Sequence, residues 1–146
     1  MAPARRRNRG VAHMDDNVVR DFLKSVKTIA VVGLSSNPMR ASHGVAQYLL
    51  SRGFKIYPVN PNETEVLGQP AYAKLEEIDG AIDIVDVFRR PEYVPGIVES
   101  AIQKGARCLW LQQGITHPEA EKRAAGAGLL VVSDHCLYRE HRRLLG

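Results

Sequence analysis

The sequence predicts a single-domain α/β protein, a doubly wound parallel sheet with helices on both faces. Three observations predict it. The 146 residues suit one domain, since a chain of this size buries roughly 68–70% of its unfolded surface without a metal or disulfide staple. Short β-branched runs alternate with helical patterns of roughly ten to fifteen residues, the signature of parallel βαβ units. The first strand run, Thr28 to Val32, is continuously β-branched and apolar up to Gly33, as a strand covered on both faces is. Right-handed crossovers then leave a doubly wound sheet as the leading topology.

The elements follow in order. Asp15-Asp16-Asn17 is a cap signal, and Val18, Val19, Phe22 and Leu23 after it form one helical face. Thr28 to Val32 is a buried strand closed by Gly33. Ser42 to Arg52 reads as a helix stopped by Gly53, and Phe54 to Val59 as a second strand ended by Asn60-Pro61-Asn62. A loop with short elements runs to Ile78, with an edge strand expected near Pro70-Ala71-Tyr72. Ile82 to Phe88 is the next strand, and Pro91 opens a helix at its favoured first-turn position, ended by Gly105. Arg107 to Leu111 is a strand, His117 to Ala127 a helix capped by His117, Leu129 to Ser133 the last strand and Tyr138 to Leu145 the closing helix.

The composition is ordinary for a globular protein, with 45% hydrophobic and 25% charged residues, which argues against disorder, collagen-like repeats and coiled coils. No apolar run reaches the roughly 20 residues that span a bilayer, so no membrane partner is expected. The net charge of +4 is local: Arg5, Arg6, Arg7 and Arg9 supply it, and the other 16 Lys and Arg match the 16 Asp and Glu. A nucleic-acid face on the folded domain is therefore not expected. Residues 1–13 read as a disordered basic arm, with the domain occupying 14–146 and Met14 a candidate natural start. No apolar stretch follows the basic cluster, so it is not a secretory signal. With two Cys, 108 and 136, too few for a disulfide scaffold or a four-thiolate zinc site, the expected compartment is the cytoplasm.

Ligands of doubly wound sheets bind beyond the carboxyl ends of the strands at the switch point, so the residues just after each strand are the ones to weigh. After the first strand, Gly33 permits a sharp turn, Ser35, Ser36 and Asn37 offer short polar groups, and Arg40 offers a planar cationic fork suited to phosphate. The free N–H groups opening the next helix favour an anion there. The alternative for this segment is a plain turn with a Ser cap and a solvated Arg. The three-glycine dinucleotide fingerprint and the G-x-x-x-x-G-K-[ST] loop are both absent. The second strand ends in Asn60 instead of an acidic ribose ligand. In the third segment, Asp86-Val87-Phe88-Arg89-Arg90-Pro91, two Arg adjoin an aromatic and face the first loop if that strand lies beside the first. Asp83 and Asp86 point to opposite strand faces and make no carboxylate pair; Asp86 is expected to cap or orient the nearby loop.

The ordered run Val32-Gly33-Leu34-Ser35-Ser36-Asn37-Pro38-x-Arg40-x-Ser42, Tyr48-Leu49, Gly53, Pro58-Val59-Asn60-Pro61, Asp83 to Arg89, Trp110-Leu111-Gln112-x-Gly114 and Asp134-x-Cys136 resembles the small stand-alone CoA-binding domain proteins. These are related to the CoA-binding domain of the succinyl-CoA synthetase α subunit. The resemblance spans residues 15–146 and implies a Rossmann-like domain holding coenzyme A (CoA) with its pyrophosphate over the first loop. By that likeness Gly33, Ser35, Ser36, Pro38, Arg40 and Ser42 line the phosphates. Val59, Asn60 and Pro61 flank the adenosine end, Val87, Phe88 and Arg89 the pantetheine path, and Gln112 and Gly114 the crevice beyond. The chain departs from the synthetase pattern by ending where the second domain, with its phosphorylated His, would begin. The expectation is thus a protein that binds CoA or an acyl-CoA in a non-catalytic or regulatory role, as a possible homo-oligomer or with a separate catalytic subunit. Two other functions compete: an NAD(P)-dependent oxidoreductase with an atypical loop, and the CoA-binding component of a split acyl-CoA synthetase.

Few other residues invite chemistry. His13, His43, His117, His135 and His141 show no metal-ligand spacing. His43, in the first turn after the cradle, is either a phosphate contact or a surface His. His135 and Cys136 follow the last strand. Adjacent residues seldom point at each other, so a Cys-His nucleophile is disfavoured, and Cys136 is a candidate for a mixed disulfide with the CoA thiol only if exposed and acidic. Cys108 reads as inert core.

Overall fold

The computed structural model describes residues 15–146; the basic arm and the candidate start at Met14 lie outside them. The chain folds as α1 (Asp16–Ser25), β1 (Thr28–Val32), α2 (Ala41–Ser51), β2 (Lys55–Val59), a two-stranded hairpin of β3 (Glu65–Val66) and β4 (Gln69–Pro70), β5 (Ile84–Val87), α3 (Val94–Gln103), β6 (Cys108–Leu111), α4 (Pro118–Gly126), β7 (Leu130–Val132) and α5 (Leu137–Leu145). Five strands form one parallel sheet in the order β2-β1-β5-β6-β7. This is the doubly wound α/β architecture read from the sequence. Among the described residues no helix is long and apolar enough to cross a membrane.

Alternation along each strand sends side chains into two separate cores. Ala30, Val32, Val85, Val87, Leu109 and Leu111 pack with α3 and α4 on one face. Ile29, Val31, Ile84, Cys108 and Trp110 pack with α1, α2 and α5 on the other. Both faces being covered explains why the strands are predominantly apolar, with Asp86 the buried charged exception among the five strands of the sheet.

Helix ends follow their local signals. The Asp15 carboxylate caps α1 by accepting from the Asn17 N–H at 2.7 Å. His117 caps α4 by accepting from Ala120 N–H, and Glu121 accepts from the His117 N–H in return. Gly53, at φ +93°, supplies the left-handed residue after α2.

Some expectations need correction. Val18 points into solvent, so the buried face of α1 is Val19 and Leu23 with Phe22 packed beside them. Pro91 opens a 3-10 turn, Pro91–Tyr93, and α3 begins only at Val94. Near Pro70 the chain forms the antiparallel hairpin, and Tyr72 alone bridges Val59 in parallel at the edge of β2. Asp86 caps nothing: it is fully buried in the middle of β5 and both carboxylate oxygens lack a hydrogen-bond partner. Its alternation puts it on the α1/α2/α5 face, between Val31 and Trp110, with its strand exit two residues further on.

Candidate ligand cleft at the switch point

The sheet register levels the carboxyl ends of four strands. Val59, Val32, Val87 and Leu111 stand in one row across β2, β1, β5 and β6. The ladder runs one residue further, with Gly33 N–H donating to Val59 O at 2.8 Å and Phe88 N–H to Val32 O at 2.8 Å. The residues that leave the sheet, Asn60, Gly33, Phe88 and Gln112, are thereby aligned along one edge. From β1 the chain crosses by α2 to one side, and the returning chain enters β5 on β1's other side. The crevice between these diverging connections is the switch point of the sheet.

A cleft of about 470 Å³ opens there, within the roughly 300–1,000 Å³ of small-molecule sites. Gly33, Ser35, Arg40 and Ser42 line it from β1 and α2, Asn60 and Pro61 from β2, and Phe88 and Arg89 from β5. Ala41, Phe88 and Arg89 also border a second lobe of about 430 Å³, which reaches Gln112, Gly114 and Cys136. Val59, Pro61 and Arg89 touch a smaller third lobe of about 260 Å³ toward α3. Eleven of the fourteen sequence-derived residues thus border one branched crevice. Ser36 and Pro38 sit exposed on the loop outside these linings, and Val87 is sealed in the core.

The loop after β1 is built by short side chains bonding backbone. Ser35 N–H donates to Ser42 Oγ at 3.1 Å, Asn37 N–H to Ser35 Oγ at 3.0 Å, and Met39 N–H to Asn37 Oδ1 at 2.9 Å. His43 Nδ1 lies 3.0 Å from the Ser35 carbonyl, so that nitrogen carries the proton and is committed to the loop. Asn60 ties the two exits together: its Nδ2 donates to Leu34 O at 3.0 Å while its Oδ1 accepts from Asn62 N–H at 2.9 Å.

The electrostatics favour an anion. Arg40 is the N-cap of α2, yet no side chain caps that helix and its first turn holds no acidic residue. Its opening N–H groups and their partial positive charge face the cleft at Ala41 and Ser42. Among the described residues neither Arg40 nor Arg89 has a carboxylate within ion-pair distance. Arg89 instead lies over the Tyr93 ring, 4.2 Å from its centroid, while Arg90 points outward toward Glu92.

The second lobe is less charged. Gln112 is buried and its Oε1 accepts from Leu137 N–H at 3.1 Å, which caps α5. Gly114, at φ +86°, donates its N–H to Asp134. Half-buried Cys136 borders this lobe, while His135 turns its Nδ1 to Ser133 O at 2.7 Å. Among the described residues no hydrogen bond joins the two side chains. Cys108 is fully buried, and that burial, with Asp86 nearby, pushes its thiol up and out of use. Among the described residues no cluster of three or more His, Cys, Asp or Glu could hold a metal.

Asn62 and Glu63 were not singled out from the sequence. Asn62 lines the cleft, and Glu63 reaches the first loop with its carboxylate. Both follow a strand end, so the rule applied to the other exits would have found them.

The sheet order and the branched crevice at its switch point define a Rossmann-like α/β domain. The family described as CoA binding domain matches residues 27–142, and the chain belongs to that family. It is 43% identical over 123 residues, 84% of this chain and 91% of the other, to the uncharacterized protein YneT of Bacillus subtilis. A solved structure of a hypothetical protein from Pyrococcus horikoshii superposes with a TM-score of 0.89 at 43% identity, covering 91% of this chain and 94% of that one. The α subunit of an ADP-forming acetate–CoA ligase II of Pyrococcus furiosus is 32% identical over 60% of this chain. The matched stretch is only 19% of that subunit.

Proposed function

We propose that this protein binds coenzyme A or an acyl-CoA and works as a binding or regulatory protein without catalysis of its own. The observation that carries the reading is the pair of cations without carboxylate partners, Arg40 and Arg89, facing an uncapped helix start at the switch point. Pyrophosphate needs such a place: a planar fork, open N–H donors and a helix dipole with its positive end turned to the ligand. In this reading Gly33, Ser35, Arg40 and Ser42 hold the phosphates, and Ser36 and Pro38 shape the loop. Asn60, Pro61 and Val59 flank the adenosine. Phe88 and Arg89 guide the pantetheine arm toward Gln112 and Gly114, while Val87, sealed in the core, anchors the end of β5 from which they leave. The two free cysteines fit a reducing compartment, the cytoplasm.

A second reading has one specific support, the ligase α subunit in which a stretch like this one is a minor part. There the protein would be the CoA-binding component of a split acyl-CoA synthetase.

Calorimetric titration of ligand-free protein with CoA, acetyl-CoA, dephospho-CoA, NAD and NADP tests the proposal. CoA binding with negligible heat from NAD and NADP is the expected result. Binding of NAD or NADP alone would overturn it and make the protein an oxidoreductase candidate. ATP-dependent acyl-CoA formation on adding a co-purifying subunit would replace it with the split synthetase.

A further inference from the structure

The loop after β1 already carries an anion, and it belongs to the chain. Ser36 N–H donates to Glu63 Oε2 at 2.8 Å, across 27 residues of sequence. The neighbouring N–H groups of Ser35, Asn37 and Met39 are taken by neutral oxygens of Ser42, Ser35 and Asn37. Ser36 thus differs from them in bonding a charged acceptor. Glu63 is held in place by its own N–H, which donates to Asn60 O at 3.2 Å, and Asn60 is in turn tied to Leu34. Among the described residues no Lys, Arg or His lies within ion-pair distance of Glu63. Its negative charge is therefore met by the backbone of the very loop that opens into α2, whose first turn has no acidic residue of its own.

Resting on the CoA reading, we propose that Glu63 is a specificity-determining residue of the cleft, an internal competitor for phosphate. Ser36 and Glu63 stand just outside the cleft lining, next in sequence to Ser35 and Asn62, which border it. A pyrophosphate held by Ser35, Arg40 and Ser42 therefore binds beside a like charge that the same loop already carries, and this weakens it. A ligand portion without phosphates meets no such penalty. Glu63 thereby lowers affinity for phosphate-bearing ligands in proportion to their charge, which keeps their binding reversible.

Glu63→Gln separates this role from a structural one, because the amide keeps an acceptor oxygen for Ser36 and loses only the charge. Wild type and variant are titrated with CoA and with pantetheine, which lacks phosphates, at low and high salt. The expected result is about three- to thirtyfold tighter CoA binding in Glu63→Gln, a gain that shrinks with salt, and unchanged pantetheine binding. Equal or weaker CoA binding in the variant overturns the proposal while leaving the CoA reading intact. If neither protein binds CoA, the CoA reading fails instead, and inorganic pyrophosphate becomes the probe. Tighter pyrophosphate binding by the variant then upholds Glu63 as the competitor, and no difference or no binding overturns it.

Discussion

A Cβ placed on Gly33 would stand 2.7 Å from the carbonyl oxygen of Phe88 and 3.0 Å from Cδ of Arg89. The exits of β1 and β5 therefore touch backbone to backbone at the floor of the cleft. Gly33 also holds φ +91°, a conformation that side chains rarely adopt. One residue satisfies two independent demands, and both follow from adjacent parallel strands diverging at the switch point.

Gly33→Ala should accordingly destabilise the protein by about 2–4 kcal/mol, since positive-φ strain adds to a contact that backbone cannot relieve cheaply. Urea unfolding monitored at the single Trp checks it. A loss under about 1 kcal/mol would mean that the loop moves away from Phe88 without difficulty.

Arg40→Ala should weaken CoA about tenfold and pantetheine hardly at all, because a charge-assisted contact to phosphate disappears while the rest of the crevice stays. The factor should narrow in high salt, as the cleft is open to solvent. Equal losses for the two ligands would show that Arg40 shapes the loop instead of holding phosphate.

Asp86 should make the protein less stable as the medium becomes more alkaline. Burial raises its carboxyl well above the ordinary range, and no hydrogen bond offsets this. The folded state tolerates the neutral acid. Once pH passes the unfolded value of about 4, only the unfolded chain ionises freely, so stability falls until the folded-state pKa is reached. Asp86→Asn removes the titration. Its stability relative to wild type should rise between pH 4 and pH 8, measured by urea unfolding at both, and a constant difference would refute the assignment.

His141 acts at the acid end. It is buried on α5, its Nδ1 2.7 Å from the Tyr48 hydroxyl and its ring edge-on to Phe54. Burial, helped by Arg52, lowers its pKa from the ordinary 6.5. The stability it contributes is complete above that value and is lost as pH falls through the lower folded-state pKa. Thermal melts from pH 8 to pH 5 should show a decline that is shallower in His141→Gln. Parallel declines in the two proteins would place the acid sensitivity elsewhere.

Asp83 shows why a carboxylate is hard to judge from sequence. Burial alone would raise it, but the N–H groups of Lys27 and Thr28 and the guanidinium of Arg107 outweigh that and hold it below the usual range. Three residues on, Asp86 has the same side chain, no partner and the opposite shift. Asp83 stands at the bend before β5, where backbone donors and Arg107 reach it, and Asp86 stands inside the strand; the expected single strand through both does not distinguish these surroundings. For Asp86 the expected loop-capping role failed because its side chain points under the sheet, into an apolar core, and not up at the cleft.

Locally encoded features were legible in the residues. The β-branched run Thr28–Val32, the Asp15 and His117 caps and Gly53 after α2 each depend on neighbours within one turn or one strand, and they stand where the pattern puts them. The parallel order also followed, because helices between strands permit little else. The cleft needed the tertiary structure. Its shape comes from the row Val59, Val32, Val87 and Leu111, which sequence separations of 24 to 55 residues bring level. Ser36 and Glu63 meet only because Asn60 draws the two loops together. Pattern and propensity act over a few residues and determine the elements; register and loop docking act through contacts between distant segments, and these alone decide which charges and donors share one crevice.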